Sequence, residues 1–160
     1  MKDFPHTQDR GFWFGNTRVE VRLSCAAGED AISVVEHRMR YGEAPPLHVH
    51  HHEDEVFHVL EGTLRVRIGD DETILRAGDI GIAPKGIPHG FRVESLSGAR
   101  CLTICRGGDF ESLLMHTGRP ATAPGLPAHQ TPDAVHAEAF AEICAAYGID
   151  LIGPPLAPRS

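Results

Sequence analysis

The 160-residue sequence has no apolar run long enough to cross a membrane as a helix, no CxxC pair and no excess of positive charge. Each absence removes a class of function. With 22 acidic residues against 15 Lys plus Arg and a formal net charge of -7, most of the surface repels a phosphate backbone, so nucleic acid is not an expected partner. The opening stretch, Met1 to Gly15, mixes Lys2, Asp3, Asp9 and Arg10 with scattered apolar side chains and lacks the apolar core of a secretory signal. A cytoplasmic location is therefore expected, with no membrane association. In that reducing compartment the four cysteines, Cys25, Cys101, Cys105 and Cys144, should be thiols. Cys101 and Cys105 sit four apart in an apolar run, which on a strand puts both on one face as core fillers.

What is present is a chain of ordinary globular composition, long enough for one domain with a short appendage. From Arg18 to about Arg106, short apolar segments alternate with Gly, Pro and Asp turns, the pattern of a β-sandwich or barrel. Val19, Val21 and Leu23 alternate with polar neighbours, as do Leu64, Val66 and Ile68 with Arg65 and Arg67, which suits strands with one wet face. Ile32 to Met39 and Val56 to Leu60 read as further strands, and Gly69-Asp70-Asp71 as a hairpin turn before Thr73 to Leu75. Past Arg106 the character changes. Asp109 is placed to cap a short helix ended by Gly118, residues 119–130 read as a mobile Pro/Ala-rich linker, and Thr131-Pro132 opens a second helix ended by Gly148. Phe140, Ile143, Cys144 and Tyr147 on that helix need a surface to bury against. The expected organisation is an N-terminal segment over 1–17, a barrel over 18–107 and a helical appendage over 108–160.

Five of the eleven histidines fall between His48 and His58. His48 and His50 are separated by one residue, so on a strand both imidazoles leave the same face and can hold one ion by adjacent positions. His51, His52, Glu53 and Asp54 look like a turn returning the chain, which would bring Glu55 beside the pair. His89 follows Gly78, Asp79, Pro84, Gly86 and Pro88, and only the fold can carry it to the others. Three imidazoles and a carboxylate suit Fe, Mn, Ni, Co or Zn and leave coordination positions open. The residues alone leave a second reading standing, in which a buried histidine is hydrogen-bonded packing and the HHH run is solvated polarity.

Two motifs bear on that choice. Gly42, five residues, His48-Val49-His50, four residues, Glu55, six residues and Gly62 resemble the first motif of the cupin superfamily; Gly78, five residues, Pro84-Lys85-Gly86, two residues and His89 resemble the second. The second motif often closes on Asn at the place held here by Val93, so one hydrogen-bonding group is missing while the ligand set is complete. The resemblance covers roughly residues 18–106. It implies an all-β double-stranded β-helix, or jelly-roll barrel, with one divalent transition-metal ion inside on His48, His50, Glu55 and His89. His51 and His52 are not ligands of the family and belong to the turn.

The phrasing from Pro46 to Gly62, and the tail Ala146-Tyr147-Gly148-Ile149-Asp150 with Gly153-Pro154, are similar to single-domain bacterial cupins related to quercetin dioxygenases. That similarity implies a metal-dependent dioxygenase acting on a flavonol-like or other enolic aromatic small molecule, with Glu55 as ligand and proton acceptor. Two alternatives are a metal-dependent isomerase, lyase or hydrolase of a small molecule, for which Arg38, Arg40 and Arg92 would be phosphate-binding candidates, and a non-catalytic ligand- or metal-binding cupin. Strand parity puts Phe57 and Val59 on the side of Glu55, and Phe91 and Val93 on the side of His89, as an apolar substrate wall. A homodimer is expected, with Phe12-Trp13-Phe14 as its contact.

Overall fold

The protein is described by a computed structural model covering residues 11–159. Two antiparallel sheets face each other. The first holds, in spatial order, β11 (Arg119–Pro120), β1 (Gly11–Phe14), β2 (Thr17–Leu23), β3 (Ile32–Met39), β10 (Ala99–Arg106), β5 (Glu55–Glu61) and β8 (Ile80–Ala83). The second holds β12 (Ile149–Pro155), β4 (Pro46–His50), β9 (His89–Val93), β6 (Thr63–Ile68) and β7 (Asp71–Arg76). This is a double-stranded β-helix, with the helices α1 (Asp109–Thr117) and α2 (Ala134–Ala146) added after it. Neither helix is long and apolar enough to cross a membrane.

The period-two pattern explains the layers. Leu64 and Val66 on β6 are fully buried and face inward, in register with Val93 and Phe91 of β9. They join Met39, Phe57, Val59, Leu75, Ala83, Ala99 and Cys101 in a core between the sheets. A second core lies where the helices meet the barrel, and Val19, Val35 and Cys105 from the first sheet pack there with Phe110, Leu113, Leu114, Cys144 and Ile149. The helical face that the sequence left unpartnered thus buries against this chain's own barrel, with Phe140, Ile143 and Tyr147 half-buried around it.

Several local readings change. Phe12-Trp13-Phe14, expected as a contact with a second subunit, forms a strand within this chain: it pairs with both β2 and β11, and Phe12 and Phe14 pack into the second core. Residues 119–130, expected to be mobile, are strapped across the first sheet. Arg18 donates to the Ala123 carbonyl at 2.7 Å, Trp13 Nε1 to Gly125 at 3.1 Å, Arg40 to Pro127, and the Asn16 amide pairs with the Gln130 backbone. These side chains come from distant strands, so local composition gave no sign of them. Helix α2 starts two residues later than Thr131-Pro132 suggested, because Asp133 supplies the cap by accepting the His136 amide. Beyond α2 the chain forms β12, which lies antiparallel along β4 and pairs Ile149 with His50 and Leu151 with His48.

The motif glycines have a backbone reason. Gly62 has φ +82°, and a Cβ there would stand 2.4 Å from the Gly98 carbonyl oxygen, whereas Gly78 has φ +93° with open space around it. Gly78→Ala therefore meets conformational strain alone, about 1–2 kcal/mol, and Gly62→Ala meets that strain plus a backbone collision. Urea denaturation should show the larger loss for Gly62→Ala, and equal losses would refute the collision argument.

Candidate metal centre

Strand β4 ends on the pair His48-Val49-His50, and its pleat sends both imidazoles into the barrel. His89, the first residue of β9, stands directly across from His48 in the antiparallel register. Glu55, the first residue of β5, comes from the opposite sheet. The fold thus brings together all four side chains that the sequence singled out. One ligand atom from each of the four lies within 4.8 Å of the others, and all four residues are buried. Glu55 Oε2 is the common focus, 2.8 Å from His89 Nε2, 3.7 Å from His50 Nε2 and 4.0 Å from His48 Nε2.

The other ring nitrogens explain this orientation. His48 Nδ1 lies 2.7 Å from the Pro46 carbonyl and His89 Nδ1 2.9 Å from the Ile87 carbonyl, the same bond to an oxygen two residues back. A carbonyl only accepts, so each Nδ1 carries a proton and each Nε2 is the ring nitrogen that faces the centre, where in the metal-free site His89 Nε2 lies within hydrogen-bond distance of Glu55 Oε2. His50 Nδ1 faces Glu53 Oε2 at 3.4 Å. Three imidazole nitrogens and one carboxylate oxygen around a point form a donor set that fits a divalent transition-metal ion. The arrangement explains what packing does not, namely why three histidines and a carboxylate share one buried volume.

Burial alone would push the Glu55 carboxyl up, but His50, His89 and His48 outweigh it and hold it at about 2. Burial lowers His48 to about 4, assisted by His89, so its ring is neutral at physiological pH. His50 is lowered by burial but raised more by Glu55 and Glu53, for a net upward shift. Cys101 and Cys105 line the core as fillers; burial pushes the first thiol up to about 12 and the second upward as well, so both stay protonated.

The four residues between His50 and Glu55 each have a separate partner. His51 pairs with Asp150 on β12 at 2.7 Å, His52 with Asp109 on α1 at 2.7 Å, and Asp54 accepts the Lys85 amide at 2.9 Å. Glu53 is fully buried and accepts the Asp109 and Phe110 amides at 2.8 and 3.0 Å. Glu53 therefore caps α1, not Asp109 as the sequence suggested; no side chain of the residue preceding the helix does so. Only the run of four polar residues hinted at these anchors.

Phe57 and Phe91 meet edge-on with centroids 6.0 Å apart, and Phe57 lies edge-on to His89 at 6.3 Å. Val59 and Val93 continue inward as fully buried members of the core between the sheets. The Val93 position thus belongs to an apolar core, which offers a hydrogen-bonding side chain no partner. The arginines considered for phosphate do not converge on the centre. Arg38 pairs with Glu36, Arg40 holds the Pro127 carbonyl and Arg92 the Leu156 carbonyl.

Residues 35–105 match the cupin domain family. Over that stretch the chain is similar to cupin domains. Over 134 residues, 84% of the chain, it is 28% identical to quercetin 2,3-dioxygenase of Bacillus subtilis (strain 168), and it spans 39% of that protein's length. The structure resembles KdgF from Halomonas sp. with a TM-score of 0.56 and 17% identity, over 68% of this chain and 96% of that one. It also resembles a predicted oxalate decarboxylase from Thermotoga maritima with a TM-score of 0.58 and 16% identity, over 63% of this chain and 95% of that one. At these identities the likeness to the two structures is one of fold alone.

Sequence reading did not single out His37. It lies on β3, is 8% exposed, stacks on Phe110 at 5.8 Å, and its Nε2 has no hydrogen-bond partner among the described residues. Burial lowers it to about 4, with Glu55 pulling slightly the other way. A histidine lowered from 6.5 to about 4 releases its proton on folding, so its stabilising share is complete above pH 6.5 and is lost as pH falls toward 4. The share is on the order of 3 kcal/mol. The metal-free protein should therefore lose stability over that interval, and His37→Gln should flatten the curve. Denaturation curves of the two that stay parallel between pH 6.5 and 4 would contradict this.

Proposed function

We propose that this protein binds one divalent transition-metal ion through His48, His50, Glu55 and His89 and acts as a dioxygenase on a flavonol-like or other enolic aromatic substrate. The observation that carries the reading is the convergence of three Nε2 atoms on one Glu55 oxygen, in a chain similar over most of its length to a quercetin 2,3-dioxygenase. When bound, such an ion supplies Lewis acidity toward an enolic oxygen and access to dioxygen chemistry.

The chain's own residues supply the rest. Phe91, partly buried beside the core, is the apolar surface offered to an aromatic ring, while Phe57, Val59 and Val93 are fully buried behind it, so a ring that reached them would have to displace core packing. Glu55 is ionised at neutral pH and takes the enolic proton at Oε2, the oxygen that already faces His89. Its basicity is adjustable, because burial and the imidazoles act on it in opposite directions. The dispersed arginines favour this reading over one on a sugar phosphate.

The first sheet carries an apolar row across four strands, Val34, Ile104, Val56 and Ile82, with Ile82 half exposed and its neighbour Ile80 more so. A second copy of the chain pairing through this face would cover it, and light scattering after size exclusion measures the homodimer. The protein acts in the cytoplasm, where the four unpaired cysteines remain thiols.

Protein loaded separately with iron, manganese, cobalt, nickel or zinc should bleach a flavonol and consume oxygen with at least one metal. Glu55→Gln should lower kcat by about 10²–10⁴-fold. No turnover with any metal would remove the dioxygenase reading, and unchanged metal content in a His50→Ala, Glu55→Ala double variant would remove the site.

A further inference from the structure

The three imidazoles are not held in the same way. His48 and His89 are oriented by carbonyls of their own strands, two residues back, so forming the strand orients the ring. His50 has no such partner. Its Nδ1 is fully buried, makes no regular hydrogen bond, and has Glu53 Oε2 at 3.4 Å as its polar neighbour. Glu53 in turn is 1% exposed, and its two oxygens receive the first two amides of α1. Among the described residues its one ion-pairing group is His50. A carboxylate this deep is strongly destabilising unless its lone pairs are answered, and the answer here comes from the helix end and the metal ligand together.

We propose that Glu53 is a positioning residue that joins His50 to the amino end of α1, so that metal binding and docking of α1 are one coupled equilibrium. The proposal rests on the metal reading above. Fixed by the Asp109 and Phe110 N–H groups, the Glu53 carboxylate stands 3.4 Å from His50 Nδ1, which favours a proton on that nitrogen and leaves Nε2 to face Glu55. Three further contacts put α1 around the same ligand. The Phe110 ring lies 6.1 Å from the His50 ring, His52 pairs with Asp109, and a Cβ at Gly107 would strike Glu53 Cγ at 2.8 Å. An undocked α1 removes two of the donors that hold Glu53 in place, and His50 loses its orienting partner. By linkage, whatever binds His50 in its inward-facing geometry tightens α1 by the same factor.

Glu53→Gln separates orientation from size. Two amides donate to the two carboxylate oxygens, one each, whereas glutamine has one oxygen and turns an NH₂ toward a donor, so a contact must break with little change in volume. Cobalt(II) is the probe, added to the full-length protein. Glu53→Gln should weaken cobalt binding by roughly 10–100-fold in chelator competition and change the visible absorption bands, which report ligand geometry and do not respond to a cap alone. In the wild type, cobalt should slow amide exchange over Asp109–Thr117 by roughly five-fold or more and leave the β6–β7 hairpin unchanged; in Glu53→Gln that slowing should vanish. Glu111→Gln is the second variant. Glu111 anchors α1 to Ser24 Oγ at 2.6 Å and Cys25 N at 2.7 Å without being among the groups that contact His50, so loosening α1 there should also weaken cobalt binding. Should Glu53→Gln not fold, wild-type exchange and Glu111→Gln decide the matter. Tight wild-type binding with unchanged affinity and spectrum in Glu53→Gln, or unchanged exchange over α1 on adding cobalt, overturns the coupling alone. Wild-type protein that takes up no cobalt overturns the metal reading and the coupling with it.

Discussion

One oxygen of Glu55 sits inside a ring of three imidazole nitrogens, and the architecture serves to keep it there. A carboxylate taken out of water costs several kcal/mol unless its lone pairs are met, and nothing on β5 can meet them. Partners must come from the other sheet, so the two sheets are locked in one relative placement by polar geometry as well as by apolar packing. The site lies beside both cores, the one between the sheets and the one beneath the helices, and Phe57 and Phe110 border it from the two sides.

The tightness of this arrangement depends on the short stretch from His51 to Asp54. A loose turn would let β4 or β5 slip against its own sheet neighbours, and a slip of one residue would turn His48 and His50, or Glu55, to the outer face. Each of the four residues is instead tied to a different place, to β12, to the α1 side chain Asp109, to the α1 amides and to the loop before β9. The elements added after the barrel are therefore structural supports of the centre. Strand β12 also lies along β4 and covers the strand that bears two of the ligands.

Identity of fold and identity of reaction remain separate matters for a barrel of this kind. Phe57 and Phe91 give the His89 side an apolar character, and Arg38, Arg40 and Arg92 are each engaged away from the centre. Affinity and reactivity would then come from a few polar atoms within an otherwise apolar volume.

The sequence by itself determined the strands, the inward parity of His48 and His50, the turn after them and the glycines that set the motif spacing, because these depend on the two-residue pleat and on local backbone sterics. Resemblance of the two motifs added His89, whose distance along the chain is far beyond the reach of any local rule. Tertiary structure alone decided that Phe12-Trp13-Phe14 is a strand between β2 and β11, that residues 119–130 are strapped down, that Glu53 and not Asp109 caps α1, and that His37 is buried against Phe110 with no hydrogen bond to its Nε2 among the described residues. In each of these the deciding contact joins residues far apart in the chain, and a hydrogen bond between distant segments leaves no periodic trace in sequence.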